Sequence, residues 1–359
     1  MPNTVIIGSG CYIPENVVTG SHFMDSVFFD ENNEKIDKPN DEIIQKFVEI
    51  TEIEERRYIS ADDYNSDLGL RASLQAIDDA GIDKEEIDYI IYATNFGEVD
   101  ERGIPNFMPS LAARLKHKLG IKNRKCINYD MIFGCPGWVE ALILADVLLK
   151  SGRAKHILVV GGETLSRVTD KFDRNKLIFA DGAGAVVVTT TDEENVGIVA
   201  DSTICDNGEE LCYLENGPSL NLEEIEPRLY IRMRGRKIYE YALKNVPDAI
   251  KATIDKANLD ISDIDKILIH QANAKMDYAM ISRLFKLYGI KDYDHAISPM
   301  TIQKFGNSSV ATIPTMFDLI RKGKMDGQSF KPGSHIVFAS VGAGMNINCV
   351  VYRFPANKI

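Results

Sequence analysis

Two stretches of this 359-residue chain carry the same pattern. Residues 76–92 align without a gap on residues 253–269, at an offset of 177. Seven pairs match: Ile77/Ile254, Asp78/Asp255, Ala80/Ala257, Asp83/Asp260, Ile87/Ile264, Asp88/Asp265 and Ile90/Ile267. Each copy reads as an amphipathic helix, a turn and an apolar strand. A second echo follows at an offset of 172. Phe133-Gly-Cys135 answers Phe305-Gly-Asn307, and the helical segments that follow hold Asp146 and Lys150 in one copy, Asp318 and Lys322 in the other. A chain that repeats strand and helix in this way is predicted to be an α/β protein built by duplication. The expected division is an N-terminal half, residues 1–190, and a C-terminal half, residues 191–359. Residues 193–195 form the expected hinge, and 206–236 an insertion in the second half.

The length suits two such units. A 45% apolar share beside a 26% charged share is ordinary for a folded globular chain. The net charge of −12 argues against nucleic acid as a partner. Six cysteines (Cys11, Cys126, Cys135, Cys205, Cys212 and Cys349) are scattered without a CxxC pair or Cys/His ligand spacing. They read as reduced thiols, not as a disulfide framework or a metal site. The opening Met1-Pro-Asn-Thr-Val-Ile-Ile-Gly8 lacks the parts of a signal peptide. No apolar run approaches the ~18 residues that span a bilayer. The expectation is a soluble, cytoplasmic protein with no membrane association.

Within the first half, the run Asn128-Tyr-Asp-Met-Ile-Phe-Gly-Cys-Pro-Gly-Trp138 reads as strand, sharp turn and helix. Gly134 permits the turn, and Pro136 suits a first helical turn because its missing N–H would be unpaired there. Cys135 is thereby placed at a helix N-terminus, where the positive dipole end favours a thiolate. Other elements follow from pattern. Short strands are expected at 4–7, 87–93, 125–131 and 156–160, and helices at 41–49, 67–80 and 108–119. Residues 28–40 read as a polar surface loop, 54–57 as a charged turn, and 179–188 as a glycine-kinked turn entering a strand. Gly8-Ser-Gly10 lacks the third glycine and the helix start of a dinucleotide fingerprint, so that reading is rejected.

Pseudo-twofold symmetry would set Cys135 and Asn307 on equivalent turns facing one another. The strand at 266–269 ends in His270-Gln-Ala-Asn273, where α/β proteins usually place functional groups. A nucleophile, an imidazole and an amide donor would then converge. At this point the chain resembles the β-ketoacyl-acyl-carrier-protein synthase III group of the thiolase-like condensing enzymes, from Val5-Ile-Ile-Gly-Ser-Gly10 to Val351-Tyr-Arg-Phe354. The motifs that carry the resemblance are Gly134-Cys-Pro-Gly137, Phe179-Ala-Asp-Gly-Ala-Gly184, His270-Gln-Ala-Asn273, Phe305-Gly-Asn-Ser-Ser309 with Ile313-Pro314, and Gly342-Ala-Gly344. The resemblance implies a duplicated thiolase-like fold layered α-β-α-β-α, a homodimer, and a catalytic trio of Cys135, His270 and Asn307. It also implies a decarboxylative condensation of an acyl primer with a malonyl-type acyl-carrier-protein thioester, with no metal or redox cofactor. In that chemistry Cys135 becomes acylated, and the backbone N–H groups of Cys135 and Ala343 form the oxyanion hole. His270 and Asn307 donate to the malonyl thioester oxygen.

Several positions depart from the family pattern. Asp41-Glu42 is followed by Ile43 where a CoA-stacking tryptophan is usual. Both acyl-CoA and acyl-carrier-protein primers therefore stay open. Met108 stands where a phenylalanine often crosses the dimer interface, and Met108, Phe305 and Trp138 are the candidate pocket residues, although Trp138 is expected to pack at the base of the helix more than to contact substrate. Carrier protein, being acidic, needs a basic face. Arg228, Arg232, Arg234, Arg236, Lys237 and Lys275 are the candidates for it, with Asn273 beside the histidine. A thiolase is disfavoured because Ser340-Val-Gly-Ala-Gly344 holds no second cysteine. A specialised-metabolism condensing enzyme (of alkylresorcinol or polyene type) and a non-catalytic, partner-dependent subunit are the other readings.

Overall fold

The computed structural model describes residues 2–224 and 226–356. Residues up to 191 supply β1 (Asn3–Tyr12), α1 (Asn65–Ala80), β2 (Tyr89–Ala93), β3 (Ile127–Met131), α2 (Gly137–Lys150), β4 (Ile157–Thr164) and β5 (Asp181–Thr191). Residues from 197 supply β6 (Gly197–Cys205), α3 (Gly235–Lys256), β7 (Ile264–Ile269), α4 (Ala274–Leu287), α5 (Thr312–Arg321), β8 (His335–Gly342) and β9 (Asn346–Arg353). The first sheet runs β1-β5-β4-β2-β3 and the second β6-β9-β8-β7. In both, the first two pairings are antiparallel and the next is parallel. The second sheet thus repeats the order and directions of the first four strands of the first. The topology is that of a duplicated fold.

Side chains alternate across a strand, so an apolar strand can face two cores at once. Tyr89, Ile91 and Ala93 of β2 join a central cluster, while Ile90 and Tyr92 join an outer one. The central cluster takes residues from both sheets, among them Val159, Val186, Phe338 and Val350, and fills the space between with α2 and α5. Outside, α1 covers the first sheet, and α3 and α4 cover the second. Five layers result: helix, sheet, helices, sheet, helices. The repeated acid–base pair is also realised in both central helices. Lys150 meets Asp146 at 2.9 Å, and Lys322 meets Asp318 at 2.7 Å.

Several local expectations change. The strand expected at 4–7 extends to Tyr12, through Gly8 and Gly10. Those glycines belong there because α1 lies directly on them. A Cβ on Gly8 would meet the Ala76 carbonyl oxygen at 2.1 Å, and one on Gly10 the Ala72 oxygen at 2.2 Å. Likewise β4 continues through Gly161-Gly162 to Thr164. The charged turn at 54–57 is instead the strand Glu55–Tyr58, and its Arg56 is 1% exposed. The guanidinium donates to the Leu177 carbonyl at 2.9 and 3.1 Å and to the Val18 carbonyl at 3.2 Å. The helix expected from 108 starts at Leu111, after the cap Ser110, and the two N–H groups of Leu111 and Ala112 are taken by Asp130 at 2.7 Å each. The loop at 28–40 is anchored by Phe28, which is buried with Phe23, Ile43 and Leu177. Among the described residues, no helix is long and apolar enough to cross a membrane.

Candidate active site

Gly134 ends the approach to α2 with φ of +71°, a value that suits glycine. The turn sets Cys135 two residues before α2 begins, under the helix's positive end. The loop after β8 closes on it. A Cβ on Gly342 would lie 2.5 Å from the Cys135 nitrogen and 2.8 Å from its Cβ, and one on Gly134 would lie 2.7 Å from the Ala343 nitrogen. The backbones of Cys135 and Ala343 are therefore packed closely side by side. Burial pushes the Cys135 thiol up to about 11, while the Ser309 hydroxyl against the sulfur acts the other way.

His270 extends β7 by one residue, its N–H donating to the Ala339 carbonyl at 2.8 Å. Its ring is buried, which pushes the imidazole down to about 4, a contact with the Ser309 backbone opposing. The ring is neutral at physiological pH, and Nδ1 has no partner among the described residues. Gln271 fixes the following loop, donating to the Pro299 carbonyl at 2.8 Å and accepting from the Thr301 and Ile302 N–H groups at 2.9 and 3.0 Å.

Asn307 is stitched to the other repeat. Its N–H donates to the Ile178 carbonyl at 2.9 Å, and its carbonyl accepts from Ala180 at 2.8 Å. The Asn307 Oδ1 accepts from the Ser309 N–H at 2.8 Å, which turns the amide –NH2 to the other side as a donor. His270 and Asn307 both touch Ser309, and the Ser309 hydroxyl lies on Cys135. The three residues expected to work together are thus gathered around one serine.

Other expected residues divide. Met108 is 86% exposed beside the edge strand β3, and Phe305 is half-buried with the Arg57 guanidinium 5.8 Å from its ring. Trp138 is no pocket residue. It is 1% exposed in the central core, edge-on to Phe338 at 5.8 Å, because the first turn of α2 points that position between the sheets. Asn273 is spent as a helix cap, its Oδ1 accepting from the Met276 N–H at 3.2 Å. Arg232 is also unavailable to a partner: Asp170 and Asp173 hold it at 2.8 and 3.0 Å. Arg228 lies over Tyr230 and donates to the Arg102 carbonyl. Arg234, Arg236, Lys237 and Lys275 remain exposed, the first two beside Glu215 and Glu240.

Sequence reasoning missed Ser309, Asn95 and Glu163. The Asn95 Nδ2 donates to the Ser309 hydroxyl at 3.0 Å, and the Asn95 N–H donates to Glu163 at 2.5 Å. Glu163 is 1% exposed, and burial pushes its carboxyl up to about 8, the Asn95 N–H opposing. A carboxyl raised on folding contributes stability that is complete below its unfolded value, near 4.5, and lost as pH rises through 8. That loss is roughly 3–5 kcal/mol. Glu163→Gln, which never ionises, is expected to melt at a temperature closer to the wild type at pH 5 and clearly above it at pH 8.5. Equal pH slopes in differential scanning fluorimetry would contradict this.

Residues 129–207 match the family described as 3-oxoacyl-(acyl-carrier-protein) synthase III, and residues 254–354 match its C-terminal part. The β-ketoacyl-(acyl-carrier-protein) synthase III of Erythrobacter litoralis is 34% identical, over 99% of this chain and 100% of that protein. The protein of the same name from Clostridium perfringens is 35% identical, over 96% of this chain and 97% of its own. The crystal structure of 3-oxoacyl-(acyl-carrier-protein) synthase III from Aquifex aeolicus superposes with a TM-score of 0.79 at 29% identity, over 98% of this chain and 100% of that one. Likeness in sequence runs through both repeats and likeness in fold through nearly every residue, so the chain belongs to the 3-oxoacyl-(acyl-carrier-protein) synthase III family.

Proposed function

We propose that this chain is an acyltransferase of fatty-acid type synthesis, joining an acyl primer to a malonyl-acyl-carrier-protein thioester by decarboxylative Claisen condensation. The observation that carries this reading is the gathering of Cys135, His270 and Asn307 at Ser309, with the Gly342-Ala343 backbone packed against Cys135. The Cys135 sulfur attacks the primer thioester, and the tetrahedral oxyanion is held by the N–H groups of Cys135 and Ala343. The primer's thiol leaves. Malonyl thioester then loses carbon dioxide as His270 and Asn307 donate to its thioester oxygen, and the carbanion attacks the acyl-enzyme carbonyl, breaking its C–S bond to release β-ketoacyl-carrier protein and the Cys135 thiolate. A neutral imidazole suits that task, because it still carries one N–H to donate.

The test is product formation. Purified protein is given malonyl-acyl-carrier-protein and a panel of acyl-CoA and acyl-carrier-protein primers, and β-ketoacyl-carrier-protein is measured by mass spectrometry. Ile43 lies packed at 9% exposure in a core cluster and offers no aromatic face. Faster turnover with carrier-bound primers than with CoA primers is the outcome that fits it. Absence of product with every primer overturns the proposed activity and leaves the partner-dependent subunit reading.

Arg234, Arg236 and Lys275 are proposed as carrier-protein contacts, with Lys237 beside them at the start of α3. The ion pairs of Arg234 and Arg236 are solvent-screened and hold little energy. Changing all three to glutamine is expected to raise KM for the carrier protein severalfold at low salt with kcat little changed. An unchanged KM would remove this face from consideration. The proposed assembly is a homodimer through β3. That strand is a sheet edge, and Ile127, Ile132, Phe107 and Met108 are exposed around it. A monomer mass by sedimentation at micromolar concentration would contradict it.

A further inference from the structure

Burial, and behind it the charge of Glu163, set Cys135 against ionising, and the helix end is shared by every residue near it. Something must favour the thiolate at the sulfur itself. Behind the sulfur lies a directed chain of donors: Asn95 Nδ2 to the Ser309 hydroxyl at 3.0 Å, and the Ser309 hydroxyl against Cys135. Ser309 is 2% exposed and held at φ of +53°, a left-handed value uncommon for serine. Its N–H is tied to Asn307 Oδ1 at 2.8 Å, so backbone position and hydroxyl are both fixed. Asn95 is fixed in turn, because its N–H enters the Glu163 carboxyl at 2.5 Å and its side chain also reaches that carboxyl.

We propose that Ser309 is a further catalytic residue, the side-chain donor that stabilises the Cys135 thiolate, and that Asn95 and Glu163 are positioning residues that aim its hydroxyl. This rests on the reading of Cys135 as nucleophile. The logic is one of lone pairs and protons. A serine hydroxyl has one proton to give. When Asn95 donates to the Ser309 oxygen, that proton is directed away from Asn95 and onto the sulfur. The amide of Asn95 has no transferable proton, so the chain stabilises charge and does not relay the thiol's proton. Glu163 supplies the acceptor that keeps the Asn95 amide facing Ser309. The titratable groups that meet this chain are Glu163, from β4, His270, from the end of β7, and Asp181 of β5, which acts on Glu163.

The test is the pH profile of Cys135 alkylation by iodoacetamide, followed by peptide mass so that the other cysteines are separated. No acyl substrate is involved. Ser309→Ala is expected to raise the apparent thiol pKa by about one unit, which slows alkylation roughly tenfold at any pH below it. Asn95→Ala should shift it the same way. Both Glu163→Ala and Glu163→Gln remove the charge that opposes the thiolate, but only Gln keeps the acceptor for Asn95, so alkylation should be slower in Glu163→Ala than in Glu163→Gln. A role in folding alone would not separate Gln from Ala in this readout. Should Ser309→Ala fail to fold, Asn95→Ala and the Glu163 pair carry the test. Wild-type profiles in Ser309→Ala and Asn95→Ala overturn the proposal. Shifted profiles in a protein that makes no β-ketoacyl product would uphold it while removing the proposed condensation.

Discussion

Cys135→Ala is expected to leave no covalent acyl adduct when the intact protein is weighed after incubation with a primer thioester. His270→Ala and Asn307→Ala should still be acylated, but should decarboxylate malonyl-acyl-carrier-protein about 100-fold more slowly or worse. The split follows from where each group stands. Cys135 lies at the turn into α2 with the Gly342-Ala343 backbone packed against it, while Cys126 and Cys349 are buried and Cys205 lies open on the surface. Asn307 already spends its Oδ1 on Ser309, so its remaining capacity is donation. His270 is neutral and has no counter-ion, so its loss removes a hydrogen bond and leaves no stranded charge. An adduct persisting in Cys135→Ala would point to another nucleophile. Normal decarboxylation in both alanine variants would remove the donor role.

The duplicated fold was legible because the repeat carries both chemistry and period. Ile87, Ile90, Ile264 and Ile267 mark one strand in each sheet, and the Asp/Lys pairs of α2 and α5 recur as real contacts. Cys135 was legible for a local reason: Gly134, Pro136 and Gly137 permit few backbones other than a sharp turn into a helix. His270 and Asn307 were legible only through the repeat and the family motifs, since neither has a local pattern of its own.

What escaped was decided by contacts distant in sequence. Gly8 and Gly10 looked like a strand's end, yet they continue it, because α1 presses on them from the outer layer. Arg56 looked like surface charge, and its burial depends on carbonyls of Val18 and Leu177, which sequence proximity does not bring near. Glu163 and Asn95 are 68 residues apart, and Asn95 and Ser309 are 214 apart. The one available signal was a carboxylate near the end of the strand Ile157–Thr164, after its apolar run, where burial without a purpose is costly. Trp138, a pocket candidate by its place beside the nucleophile, takes the packing position at the base of the helix that the sequence favoured for it. It adjoins the nucleophile in sequence, but a helix turns each residue by about 100°, so its neighbour faces the core.

Gly342→Ala is expected to cut the rate of acylation by at least about 100-fold while costing only ~1–3 kcal/mol of stability. Gly342 has φ of −170°, extended backbone that alanine adopts without strain. The cost is therefore one of space. The new methyl would stand 2.5 Å from the Cys135 nitrogen, 2.7 Å from Pro136 Cδ and 2.8 Å from Cys135 Cβ, none of which is the free end of a flexible side chain. Either the Cys135 turn or the Ala343 loop must move. Both carry the N–H groups proposed to hold the oxyanion, and donors placed for a tetrahedral oxygen lose most of their effect when displaced by a fraction of an ångström. Gly152→Ala supplies the contrast. Gly152 has φ of +73° with nothing within 4 Å of an added Cβ, so alanine there should cost roughly 1 kcal/mol of stability and leave acylation unchanged. The measurement is the single-turnover rate of adduct formation beside a denaturation curve for each variant. If Gly342→Ala acylates at the wild-type rate, the Gly342-Ala343 backbone does not form the wall of the site, and the oxyanion must be held elsewhere.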